Sequence, residues 1–114
     1  MKYNISEKYN CVIIELKGKI MGGPDADVFK EELHKLLEEG KKRIVVDLEG
    51  VKFMNSSGLG ILIGGLTTVR KHNGDMKLAN ADKRISSLLM VSQLNRVFDH
   101  HKSLDDAIAA FEEE

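Results

Sequence analysis

The chain has 114 residues, enough for one domain with a real core. Apolar residues make up 42% and charged residues 31%, an ordinary soluble balance, and a formal net charge of −1 leaves no electrostatic footprint for nucleic acid. A single cysteine excludes an intramolecular disulfide, and the lack of Trp with only one Pro sets the chain apart from carbohydrate and peptide-groove binders.

The first ten residues alternate polar and apolar and lack the apolar core of a signal peptide. Tyr3 to Glu7 and Val12 to Leu16 are expected as two strands of a hairpin turning around Lys8-Tyr9-Asn10. Cys11, at the head of the second strand, is expected as a small core or edge residue in a reducing cytosol. Lys17 to Pro24 reads as a loop. From Ala26 onward Phe29, Leu33, Leu36 and Leu37 follow helical spacing, Glu31 and Lys35 form an i,i+4 pair, and Gly40 stops the helix. Lys41-Lys42-Arg43 is a solvated lead-in to the next strand, Ile44 to Leu48, which lacks clean alternation because both of its faces are covered.

A second helix runs from about Ser57 to His72 and ends at Asn73-Gly74. Met76 to Ala79 is the next strand. Asp82 caps a helix over Lys83 to Val91, and Val97-Phe98 is expected as a last short strand. Ser103, with Asp106 three residues on, caps a final helix whose stripe is Leu104, Ala107, Ile108 and Phe111. Glu112-Glu113-Glu114 puts negative charge where the helix dipole disfavours it, so that end frays. The expected fold is a single α/β domain over 1–114: one mixed sheet of four to five strands with about four helices packed against it. The longest apolar run, Leu59 to Leu66, is far shorter than the ~20 residues of a membrane span, so no membrane insertion is expected.

Met54-Asn55-Ser56-Ser57-Gly58-Leu59-Gly60 joins the buried strand to the second helix. Two hydroxyls thus stand at a helix start, where N–H groups are unpaired and the dipole favours negative charge. One reading is a plain helix start, with Gly58, Gly60, Gly64 and Gly65 letting the helix lie close to the sheet. Each helical glycine loses up to ~1 kcal/mol against alanine, so a close approach, internal or by a partner, must offset that loss. A dinucleotide site is a second reading, but the glycine spacing is not G-x-G-x-x-G. Met76 to Ala79 also ends at Asn80 with no acid to hold a ribose. Regulatory phosphorylation of a serine is the third.

The segment from Val45 through Val51-x-Phe53-Met54-Asn55-Ser56-Ser57-Gly58-Leu59-Gly60 resembles the signature of STAS domains, specifically bacterial anti-sigma factor antagonists. The resemblance extends to Leu16-x-Gly18, the Asn73-Gly74-Asp75 turn and Leu94-x-x-Val97-Phe98. It implies that Ser56 is the phosphoacceptor, with Ser57 as the second candidate. It also implies a partner-binding surface of Met21, Gly22, Gly23, Asn55, Ser56, Ser57, Gly58, Leu59 and Gly60. The family has Asp before the serine where this chain has Asn55, which keeps the capping capacity and loses the charge. The family's acidic group in the loop after the second strand is absent or displaced in Ile20 to Asp25.

The implied function is a cytoplasmic antagonist that binds an anti-sigma factor, itself a serine kinase, and so frees a sigma factor. A serine phosphatase would be a further partner; no cofactor is implied, and the chain would be a monomer or weak dimer. The alternative is an accessory or structural subunit of a lipid or anion transport system, or a signalling-complex scaffold, acting without phosphorylation. No enzyme is expected: Ser56 lacks a G-x-S-x-G elbow and Cys11 lacks an identifiable base. Nor is a metal expected: His100 and His101 read as exposed loop residues, and His34 and His72 have no i,i+4 ligand. Met21, Met54, Met76 and Met90 read as core fillers or rim contacts.

Overall fold

The computed structural model describes residues 1–113. It contains β1 (Lys2–Lys8), β2 (Cys11–Ile20), α1 (Pro24–Glu38), β3 (Arg43–Met54), α2 (Ser56–Lys71), β4 (Asp75–Ala79), α3 (Lys83–Val91), β5 (Asp99–His101) and α4 (Leu104–Glu112). The strands form one sheet in the order β1-β2-β3-β4-β5. The expected hairpin is there: β1 runs antiparallel to β2, and Tyr9 and Asn10 both take positive φ, the geometry of a two-residue turn that matches strand twist. From β2 onward every pairing is parallel.

That topology dictates where the helices go. Each step from β2 to β5 moves one strand in the same direction, and parallel crossovers are right-handed, so α1, α2 and α3 must share one face. They do. Phe29, Leu33, Leu36 and Leu37 of α1, Leu59, Leu62, Leu66 and Val69 of α2, and Ile85 and Leu89 of α3 join one cluster with Val12, Ile14, Leu16, Ile44, Val46 and Leu48 of the sheet. The alternate strand positions, Cys11, Ile13, Val45 and Ala79, face the other way and are covered by Ala107, Ile108 and Phe111 of α4. A period-two strand buried on both faces gives the unbroken apolar runs of β2 and β3. Cys11 is fully buried, and burial raises its thiol pKa.

Several boundaries differ from the sequence expectations. β2 continues through Lys17–Ile20, read as loop, and β3 runs on past Leu48 to Met54. Charged residues and glycines here belong to a part of the sheet that α4 does not reach, so no apolar alternation marks it. Val97-Phe98 is not a strand: a 3-10 turn covers Leu94–Arg96, Phe98 is buried in the core, and the last strand follows it. His100 and His101 therefore lie in β5, not a loop. His101 is half-buried, with Nε2 3.1 Å from Asp99. Met54 and Met76 are buried, whereas Met21 and Met90 are exposed. The acidic terminus closes α4 at Glu112, with Glu113 at its cap; Glu114 lies outside the described residues.

Candidate functional site at the start of the second helix

β3 and α2 are joined by a single residue, Asn55. Its backbone is extended, and its side-chain oxygen accepts a hydrogen bond from the Gly58 N–H at 2.8 Å, an N-cap in ordinary form. Ser56 is the first helical residue and Ser57 the second; both are exposed. No acidic residue lies in the first turn of α2, unlike α1, where Asp25 and Asp27 occupy that position. The positive end of the α2 dipole is therefore left without a counter-charge of its own.

The glycines divide into two kinds. At Gly58 a Cβ would fall 1.9 Å from the carbonyl oxygen of Ile20, so only glycine lets the helix start rest on the end of β2. At Gly65 a Cβ would fall 2.6 Å from Phe29 and 3.0 Å from Leu33 of α1, a less severe overlap, with side chains in place of backbone. At Gly60 and Gly64 a Cβ would meet nothing within 4 Å. Internal packing thus accounts for two of the four. Ser56, Gly60 and Gly64 follow one another at i, i+4 and i+8, so they share one exposed face of α2. Beside that face, between α1 and α2, runs a groove of about 300 Å³ lined by Phe29, Lys30, Ile61 and Thr68 among others.

The loop after β2 closes the other side. Gly22 has φ +97, and a Cβ there would sit 2.8 Å from the Ser57 Cβ, so the loop packs onto Ser57. Pro24 begins α1 at a position where its missing N–H is no loss. Met21 leaves its side chain 45% exposed beside this contact. Of the nine residues singled out from sequence, all lie at the start of α2 or in the loop that packs onto it, but not all are on the surface. Gly58 and Leu59 are buried and anchor the helix start, while Met21, Gly23, Ser56, Ser57 and Gly60 face outward.

Residues the sequence reading passed over also lie at this edge of the sheet. Phe53 is 44% exposed, and Lys52 and Arg84 stand beside it around a small notch. With β3 taken to end at Leu48, Phe53 fell in a loop. The spacing of Val51 and Met54, both buried with two outward residues between them, was the signal of a strand bent by a bulge.

Elsewhere, polar groups are paired for structure. Buried Asp47 accepts from Asn80 Nδ2 at 2.9 Å and from the Glu49 N–H at 3.0 Å. Lys77, 3% exposed, reaches Asp99 at 2.7 Å and lies 4.6 Å from the Phe111 ring centroid. Burial pushes the Asp99 carboxyl up, but Lys77 and His101 outweigh it, leaving its pKa below the usual value. His34 and His72 meet edge to face at 5.7 Å. Among the described residues no group of three or more His, Cys, Asp or Glu is placed to hold a metal, and no helix is long and apolar enough to cross a membrane.

Comparison with known proteins places this geometry. The chain is 29% identical over 96 residues to the anti-sigma-B factor antagonist of Bacillus subtilis (strain 168), covering 84% of this chain and 86% of that one. It superposes on SpoIIAA, a Bacillus cell fate determinant, in its phosphorylated form with TM-score 0.71 at 19% identity, covering 96% of this chain and 99% of that chain. The unphosphorylated form of this anti-sigma factor antagonist gives TM-score 0.71 at 16% identity, covering 98% and 96%. A sulfate transporter family protein from Wolinella succinogenes shares the fold, with TM-score 0.77 at 19% identity over 89% of this chain and 84% of that chain. The family profile for the STAS domain matches residues 2–107. From the hairpin to the last helix, this chain belongs to the STAS domain family.

Proposed function

We propose that this chain is an anti-sigma factor antagonist: it acts by binding an anti-sigma factor that is a serine kinase, and phosphorylation of Ser56 ends that binding. The observation that carries the reading is the exposed hydroxyl of Ser56 at the first position of α2, flanked by a glycine face. The named relative supports the function, whereas the transporter-family protein shares the fold alone, so the transport-accessory reading is not favoured. The chain works in the cytoplasm, without catalysis of its own, and a serine phosphatase resets it.

The switch is local. A phosphoryl group adds about −1.5 to −2 charges. The α2 N-terminus tolerates an anion, because its N–H groups and dipole favour one, so the fold survives. The interface does not. An uncompensated charge in a desolvated contact costs about 3–5 kcal/mol. That is about a hundredfold to several thousandfold in affinity. Asn55 in place of Asp suits this scheme, since its side chain is already engaged as the cap and adds no repulsion beside the phosphoryl group.

The test is incubation with the anti-sigma factor kinase of the same organism and ATP, followed by mass spectrometry of the Phe53 to Arg70 region. One phosphate on Ser56 is the expected result. Ser56→Asp should retain the wild-type melting curve and lose binding; a Ser56→Asp variant that binds as tightly as wild type overturns the reading. Phosphate on Ser57 alone would move the acceptor by one residue and refute the assignment to Ser56.

A further inference from the structure

Four phenylalanines occur in the chain, and three of them, Phe29, Phe98 and Phe111, are no more than 3% exposed. Phe53 is the exception at 44%. Its exposure is built into the strand. Gly18 pairs with Val51 and Lys19 with Phe53, so Lys52 is an extra residue in β3 at this point. Such a bulge re-aims side chains. Here Val51 and Met54 both enter the core, and Lys52 and Phe53 are turned outward in succession. They stand four and three residues before Ser56, on the part of the sheet that α4 leaves uncovered.

The surroundings of Phe53 are basic. Lys19 is its register partner on β2, and Lys52 and Arg84 line the notch with it. All three cations are exposed, and among the described residues none of them has a carboxylate within ion-pairing distance. The acid of the notch, Asp82, is engaged as the cap of α3 through the Ile85 N–H at 2.9 Å. The adjoining hollow holds two further acids, Glu49 and Glu15, with Lys2, Lys17 and Lys52, and Glu15 is paired there with Lys17 at 3.6 Å. In a chain of net charge −1, three unpaired cations around an exposed aromatic ring are a local excess.

We infer that the docking surface extends from Ser56 across this edge, and that Phe53 inserts as an anchor into an apolar recess of a partner whose surrounding surface is acidic. This rests on the reading of Ser56 as a docking centre and names the chemistry of what docks there. Aromatic anchors dominate interface energetics, and complementary charge sets approach and register. An acidic partner also sharpens the switch: the phosphoryl group on Ser56 then faces like charge, beyond the mere burial of its own.

The probe is the purified anti-sigma factor kinase of the same organism, titrated calorimetrically between about 0.05 and 0.5 M NaCl, where exposed charges pass from weakly to strongly screened. Phe53→Ala should weaken binding by about tenfold or more at every salt concentration. The double reversal Lys52→Glu with Arg84→Glu should weaken it further at low salt and flatten or invert the salt dependence. The equal charge change Lys42→Glu with Lys71→Glu, at the far end of the strands, should leave binding within about threefold of wild type. Rim variants that bind like wild type, while Ser56→Asp does not, overturn this inference and leave the proposed function standing. Wild-type protein that binds no kinase overturns both. Self-association that Phe53→Ala abolishes would assign the surface to a second copy of the chain and overturn the acidic-partner assignment.

Discussion

The four glycines of α2 allow a direct test of what is internal and what is external to this fold. At Gly60 and Gly64 an added Cβ enters open space, so alanine keeps the backbone and removes the entropic penalty of glycine, about 0.8–1.0 kcal/mol at each site. The double variant Gly60→Ala, Gly64→Ala should therefore gain about 1.6–2 kcal/mol. For a domain of this size that raises the melting temperature by about 6–12 °C. Gly58→Ala should do the opposite, since its Cβ overlaps the Ile20 carbonyl at 1.9 Å and either the helix start or the end of β2 must move. Thermal denaturation followed by circular dichroism reads all three. The same proteins titrated against the kinase should show the stabilised double variant binding more weakly than wild type, because the added methyl groups hold the partner off the face that carries Ser56. A double variant that melts at or below the wild-type temperature would refute the structural reasoning. One that melts higher and binds as well would refute the claim that the partner approaches along this face.

Asn55→Ala removes the cap on Gly58 N–H and should cost about 0.5–2 kcal/mol in urea denaturation. Asn55→Asp keeps the cap and adds a favourable charge at the helix start, so it should be neutral or stabilising by up to about 1 kcal/mol. The Asp99 carboxyl has a lowered pKa through Lys77 and His101, so its contribution is present above the unfolded value of about 4 and is lost as pH falls through the folded one. Asp99→Asn should accordingly flatten the loss of melting temperature between about pH 5 and 2. Phe111→Ala empties the centre of the α4 side and should cost about 3–5 kcal/mol. With it, thiol reagents should label Cys11 faster than in wild type, where the thiol is fully buried and its pKa raised.

Most of the architecture was legible because each element carries its own local signal. Caps announced three helices: Asn55, Asp82 and Ser103 each accept from the N–H three residues on. Apolar periodicity gave the helical faces, and Asn10 marked the hairpin. What escaped was the upper half of the sheet. Lys17 to Ile20 and Glu49 to Phe53 are strand by pairing alone, since outward-facing residues there have no helix above them and need not be apolar. The same lack of cover hid Phe53, whose exposure depends on a bulge that pairing reveals and composition does not. β5 was misplaced by two residues because Phe98 is apolar for the sake of the core beside a 3-10 turn, while Asp99 to His101 join the sheet through backbone pairing with Lys77 to Ala79, which their polar composition does not announce. At the site, the serines and the loop glycines were visible as a motif. The division of labour among the glycines was not, because helix propensity penalises Gly58 and Gly60 alike and only the neighbouring backbone tells them apart.

The sheet stands as a wall between two separate oil drops, one under α1, α2 and α3 and the other under α4. Every residue proposed to meet a partner hangs from the larger drop or from the rim of the wall. The smaller one is therefore a ballast chamber: its residues can be exchanged to set how firmly the molecule holds together at a given temperature, with little echo in whom it recognises. Reporter groups or tethers attached on that rear side should leave the signalling face undisturbed.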